Sequence, residues 1–486
     1  MSYQPFIGFA PDMDPTTPGV ITDCADLIPT VRGTYVGAPT GVDVGQDALA
    51  AAALTAAIAT KLDGTARLFA GTTTKLYERS STAWTDVSRV AAYNATTTNP
   101  WRFAQFGDTT LAVNKGDQLQ SISTGADFAD LSAPTAGVMC VAQGFVMLGN
   151  TNNGGSGTTY GDSPNRWYCS ALYDETDWTP SVTTQCATGL LVDTPGAITA
   201  MRTLAENVVA YKGNSMYLGT YEGPPAVWRW DLISSEVGCP SHDAIVELNN
   251  AHYFISNDDF YRYTPGGLPV PIGAPVKEWF FTRCDPAYKG LIKHAHDRTN
   301  SLIYWFYPQN GGSTLNMCVV YNYKSDKWGV TDRTIECPVE YITGGYAYDT
   351  LPFGSYDAWP EVSYDSPFWD ASSRYTGYFS TDHKIYSLTG DNASSSLTTG
   401  TYGVSDQFTL LSRVTMRYLD KPLTGTMINY YQNELGDSWT TDTITTESSG
   451  RFDVLRSAPF HKLYLVFTGG VEIAGINAEY QANGVY

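Results

Sequence analysis

Four tryptophan-bearing segments recur along the chain at a step that leaves few folds open. KLYERSSTAWTDVS, CSALYDETDWTPS, YLGTYEGPPAVWRWD and VVYNYKSDKWGVTD each pass from an aromatic, strand-like stretch through a short polar turn to a tryptophan. The tryptophans are Trp84, Trp178, Trp228 and Trp328, at intervals of 94, 50 and 100 residues. Those are multiples of about 47 to 50, so each doubled interval should hide a weaker copy. DFADLS with Phe128 and VKEWFF with Trp279 fall near the missing marks, and the series 84, 128, 178, 228, 279, 328 then steps by 44, 50, 50, 51 and 49. Short strands repeating at this period are the mark of four-stranded propeller blades, each of which can bury its faces only against neighbours of the same kind. The predicted fold is all-β, a six- or seven-bladed β-propeller with an N-terminal extended arm and a C-terminal β-sandwich. Six blades follow the series, and one more step lands near residue 378, where YTGYFSTDHKIYSLTGD supplies a further strand pair. The tryptophans are expected to fill the wedges between blades rather than to stack on a ligand.

The flanks of the repeat have their own character. Residues 1–47 are rich in Gly, Pro and Asp, as in PFIGFAPDMDPTTPGVITDC, without a sustained period, which predicts an arm held by whatever it lies against. The run DALAAAALTAAIATKL has high helical propensity but no polar face. It leads into the hairpin signal Asp63-Gly64, so its second half at least is expected to be strand. The propeller is assigned to residues 48–398. Within it, residues 343–375 break the pattern with YDTLPFGSYDAWPEVSYDSPFWDASSRY, which alternates the aromatics Tyr356, Trp359, Tyr364, Phe368 and Trp369 with the acids Asp357, Glu361, Asp365 and Asp370. Long loops inside compact folds are usually functional, and exposed aromatics favour protein contacts, so this one is read as an interface or gate. The Ser/Thr/Gly-rich DNASSSLTTGTYG reads as a boundary, and residues 399–486 alternate apolar and polar residues over four to six strands of a small sandwich.

Charge narrows the function. The chain carries 49 acidic against 29 basic residues, a net charge of -20, while only 16% of residues are charged, a profile of β-rich proteins whose polar surface is Ser, Thr, Asn and Gln. Such an excess of acid argues against a phosphate-binding surface, because nucleic-acid binders gain affinity from Lys and Arg that displace counterions. It is compatible with a channel along which a duplex slides, since repulsive walls prevent sticking. The first thirty residues show no basic start and apolar run, and no stretch of about 18 apolar residues could span a bilayer. The eight cysteines form no CxxC pair and are expected to be free thiols of a reducing cytoplasm.

No motif for chemistry survives inspection. Sialidase turns of the SxDxGxxW type share only Ser/Asp and Trp with SSTAWTDVS and KSDKWGVTD, and a copper oxidase needs paired His and Tyr ligands. His294 and His296 in KHAHDRTN share one face of a strand but have no evident partner ligands, so they read as an ordinary polar edge. His242, His252, His383 and His461 are isolated. NTNNGGSGTTYGD lacks the Lys and following helix of a phosphate loop. Asp258-Asp259 sits at a turn, where Asp satisfies backbone donors. NAT at 94–96 and NAS at 392–394 match glycosylation acceptors only by chance in an unsecreted protein. The chain is read as not an enzyme, with no cofactor and no metal.

The segments GFAPDMDPTTPGVITDCADLIPT, KLDGTARLFAGTTTKLYE and RFAQFGDTTLAVN, and the ending FHKLYLVFTGG with GINAEY, resemble in order the tail nozzle, or hub, proteins of short-tailed bacteriophages. The resemblance implies a propeller-bearing subunit, usually six around an axis, docked under the adaptor ring below the portal. It further implies that the ring prolongs the DNA channel, closes its exit until infection and carries fibres, spikes or a needle. Such a homo-hexamer would be assembled in the host bacterial cytoplasm, would end in the virion tail and would let double-stranded DNA pass without tight binding. The competing reading is a receptor- or glycan-binding tail protein whose 343–375 aromatics stack on sugars.

Overall fold

The computed structural model describes residues 3–80, 82–123, 125–152, 163–342, 374–404, 407–434 and 436–485. Antiparallel four-strand units succeed one another around a ring. Blade 1 spans residues 55–86, blade 2 102–130, blade 3 135–190, blade 4 200–234, blade 5 246–271 and blade 6 293–335. Blade 7 takes three strands from 337–390 and its fourth, Thr40–Asp43, from the N-terminal arm. Six of these units are self-contained four-stranded sheets, and blade 6 is the leading part of a ten-stranded sheet. The innermost strand of blade 1, Thr55–Thr60, lies against those of both blade 2, Arg102–Phe106, and blade 7, Cys337–Ile342, which closes the ring. Closure is stitched by main-chain pairing, with Tyr386 opposite Asp43, Ser387 opposite Val42 and Leu388 opposite Gly41.

The alanine-rich run illustrates tertiary context overriding propensity. Residues 55–60 pair with Ala66–Gly71 across the Asp63-Gly64 turn, where Gly64 has φ +86 and the Asp63 carboxylate accepts from the Thr65 amide. A helix here would leave the inner position of blade 1 empty, and packing against two neighbouring blades decides for strand.

Trp279 does not mark a blade. It lies on the seven-residue helix Lys277–Arg283, between blades 5 and 6, while the outer strand of blade 5 is Val270–Pro271. The helix is capped from a distance: both oxygens of the Asp12 carboxylate, on the arm, accept from the amides of Glu278 and Trp279 at 2.7 and 2.9 Å. Trp279 then meets Phe9 of the arm edge-on at 5.1 Å.

The arm is woven through the molecule. Gly8–Phe9 pairs in parallel with Val20–Ala25, which pairs with Ser394–Gly403. Leu27–Pro29 adds to the outer strand of blade 6, Lys327–Ile335, and Tyr35–Gly37 adds to the last strand, Glu472–Val485. A side chain at position 329 would sit 2.5 Å from the Leu27 carbonyl, so glycine is what allows the arm to cross there. Tyr35, fully buried, fixes the crossing: its hydroxyl accepts from the Phe9 amide and donates to the Trp328 carbonyl, each at 2.8 Å.

The tract at 391–403, read from sequence as a boundary, carries the sandwich strand Ser394–Gly403, because Leu397 points into the core and the Ser and Thr at 395 and 399 are buried as well. One sandwich layer runs Val20–Ala25, Ser394–Gly403, Phe460–Thr468, Thr424–Gln432, Thr440–Thr446, and the other is the continuation of the ten-stranded sheet. Leu397, Leu411, Met427, Phe452, Leu465 and Ile476 pack between them, in one apolar cluster that continues into blades 4, 5 and 6.

Candidate functional site

The four motif tryptophans occupy equivalent wedges. Trp84 of blade 1 lies 5.8 Å from Phe379 of blade 7 and donates its indole N–H to the Asp47 carbonyl. Trp178, in the loop before the last strand of blade 3, shares a core with Leu111 and Val113 of blade 2. Trp228 of blade 4 meets Phe145 of blade 3 edge-on at 5.7 Å, and Trp328 of blade 6 lies 4.7 Å from Phe260 of blade 5. Each ring reaches back to the preceding blade, and Trp178, Trp228 and Trp328 are at most 4% exposed, which leaves no face for a ligand.

Tyr356, Asp357, Trp359, Glu361, Tyr364, Asp365, Phe368, Trp369 and Asp370 lie outside the described residues. The flanking residues Ile342 and Arg374 are paired on the last rung of the inner hairpin of blade 7. Arg374 is on the wall of a cavity near the axis of the ring.

Along that axis the inner strands enclose a cavity of about 270 Å³. Blades 1, 2, 4, 6 and 7 and the short turn of helix His242–Ala244 before blade 5 supply its wall. Its charged groups are Arg102, Arg202, Lys293 and Arg374 against Asp243 and Glu340. Arg102, 9% exposed, pairs with Asp243 at 3.0 Å, and its Nε has no partner. Arg202 donates through Nη2 to the His242 carbonyl at 3.1 Å, and its Nε is likewise buried without a partner. Lys293 Nζ donates to the carbonyls of Leu54 and Glu336 at 2.6 and 3.2 Å. Arg374 reaches Glu340 at 3.5 Å.

Three histidines complete the wall: His242, His294 and His296. His294 Nδ1 lies 2.6 Å from the Asp243 carbonyl, which can only accept, so Nδ1 carries the proton and Nε2 is left as an acceptor. Burial, reinforced by Arg202, lowers the pKa of His294 to about 4 and holds that of His242 well below the usual range. Burial, reinforced by Arg298, lowers His296 to about 4 as well. All three rings are neutral at pH 7. Burial also pushes the Cys337 thiol up to about 12, so it is no nucleophile. Among the described residues no group of three or more His, Cys, Asp or Glu could hold a metal ion. The arrangement offers fixed positive charge and N–H donors, but no base placed on a nucleophile.

Sequence reasoning set His294 and His296 aside as a polar edge, whereas both line this cavity. It missed Arg102, Arg202, Lys293 and Arg374 altogether. The available signal was their place: each stands on an inner strand of a blade or, for Arg374, on the strand paired to one. The remaining motifs serve the fold. His252 bonds the Tyr211 hydroxyl and the Thr203 carbonyl, His383 bonds Glu336, and His461 lies against the Thr409 carbonyl. Asp259 accepts from the amides of Phe260 beside it and of Gly273, fourteen residues further on. Asn392 is 8% exposed and donates to the Ala38 carbonyl, which leaves no room for a glycan.

No protein-family model and no curated protein matches the sequence. Solved structures show a distant likeness. BBS1N in complex with ARL6DN is 10% identical, over 72% of this chain and 97% of that one, with a TM-score of 0.39. The extracellular domain of the one component system BT4673 from B. thetaiotaomicron is 10% identical, over 83% of this chain and 45% of that one, with a TM-score of 0.38. The Pan2 WD40 domain of Neurospora crassa is 7% identical, over 68% of this chain and 87% of that one, with a TM-score of 0.34. Likeness at this level carries no argument about this chain.

Proposed function

We propose that the chain is a structural, non-enzymatic subunit of the tail nozzle of a short-tailed bacteriophage. Six copies would ring the tail axis under the adaptor, extend the DNA channel and carry fibres, spikes or a needle, after assembly in the host cytoplasm. The observation that carries this reading is the ten-stranded sheet that runs unbroken from blade 6 through the arm into the sandwich. It joins propeller and sandwich into one stiff body, as a wall subunit under internal pressure requires. The net charge of -20 supports a lumen that repels phosphate. Two unit charges about 7 Å apart cost only ~0.6 kcal/mol at a dielectric of about 80, yet rings of them keep a duplex from sticking, most strongly at low salt.

Native mass spectrometry of the purified protein, alone and with the adaptor ring of the same phage, tests the proposal. A ring, or six copies on the adaptor, is expected. A monomer or trimer that ignores the adaptor and binds host envelope would replace this reading with receptor or glycan binding. Removing residues 343–373 separates the same two readings. Leaking DNA or missing tails fits a nozzle, whereas intact tails that no longer adsorb fit the competitor.

A further inference from the structure

The axial cavity is more basic than anything else about this chain suggests. Asp243 is committed to Arg102 at 3.0 Å, and Glu340 to Arg374 and Arg298 at 3.5 and 4.0 Å. Among the described residues, Arg202 and Lys293 have no carboxylate in ion-pair contact. The cavity wall thus holds two cations more than it holds carboxylates. Glu247 acts on Arg202, and Asp243 and Glu336 act on Lys293, only from beyond ion-pair distance. Partly buried charge without a counter-ion in contact is costly, and a buried guanidinium N–H left without an acceptor adds to that cost. Here two such N–H groups, Nε of Arg102 and of Arg202, are buried at one cavity. Water could accept from them but could not neutralise them.

We propose that this cavity binds a small multivalent oxyanion, of the phosphate or di- and tricarboxylate class, held between blades 2, 4 and 6. The two guanidinium groups meet oxyanions with charge-assisted donors, and Lys293 supplies a compact positive charge. Ligand pockets for drug-sized molecules start at about 300 Å³, so a cavity of about 270 Å³ suits a small metabolite or inorganic ion and admits no strand of DNA. Because the donors come from separate blades, the anion acts as a pin across the ring and should stabilise the closed propeller by mass action. The inference does not depend on the tail reading and would hold in a propeller of any other role.

Thermal melting of the full chain tests it, with inorganic phosphate or citrate titrated at low millimolar concentration and ionic strength balanced with sodium chloride. A saturable rise in Tm is expected for at least one of the two probes, and which one responds separates phosphate from carboxylate recognition. Arg202→Gln should weaken the apparent affinity about tenfold or more, the loss typical of one charged donor. Should Arg202→Gln fail to fold, Arg374→Gln, a partly exposed change at the cavity wall, is expected to shift the same titration in the same direction. General salting-out by these ions rises without saturation and ignores both substitutions. A non-saturating response, or one identical in the wild type and in every variant that folds, would overturn the proposal.

Discussion

Five histidines, His242, His252, His294, His296 and His461, have burial as the leading cause of a pKa below the usual 6.5, with His252, His294 and His296 near 4. The unfolded chain binds protons at these positions as pH falls through about 6.5, whereas the folded chain binds them only at lower pH, near 4 for His252, His294 and His296. Stability should therefore drop across that window. Asp12, Asp26, Glu247 and Asp259 act in the other direction: burial raises their pKa values, so their contribution is present at low pH and is lost as pH rises through the raised values. They oppose the histidine trend wherever they titrate. Urea unfolding should give a lower stability at pH 5.5 than at pH 7.5, with net proton uptake on unfolding; equal stability at the two values would refute the assignment. None of this was legible in the sequence. A histidine between polar neighbours, as His294 is in KHAHDRTN, shows no sign of burial until neighbouring blades cover it.

The helix Lys277–Arg283 shows how far apart the parts of one element can be. Its own N-cap position, Val276, offers no side-chain acceptor, and Asp12 supplies the cap across a separation of 266 residues. Asp12→Ala should cost about 1 kcal/mol, the usual value of a lost cap, while Asp12→Asn, whose single amide oxygen can accept from only one of the two amides, should retain part of it. The urea midpoint of each variant measures this, and an Ala variant as stable as the Asn variant would count against the capping role. In the sequence, VKEWFF falls on the blade period, which places a blade mark at Trp279. Seven residues are too few for helical periodicity to show, and a cap from the arm leaves no local signature.

At the scale of the molecule, the arm decides how many parts unfold separately. It closes blade 7, extends blade 6 and supplies strands to both layers of the sandwich, over a shared apolar core. Calorimetry of the intact chain should show one cooperative transition, with calorimetric and van't Hoff enthalpies in agreement. Two separated transitions would mean that the sandwich is an independent domain. The all-β propeller and its period were determined by sequence alone, because a blade is a local unit: strand, turn and wedge tryptophan lie within about 50 residues and carry their own pattern. The acidic balance was equally local knowledge, a sum over side chains. The axial cavity and the woven arm were decided by tertiary structure only. Arg102, Arg202 and Lys293 meet because ring closure brings the inner strand of every blade to one axis, and no short-range pattern encodes which residues will face one another there. The arm reads as irregular because its strands are short and find their partners hundreds of residues away, in ladders that exist only once the propeller and the sandwich have formed.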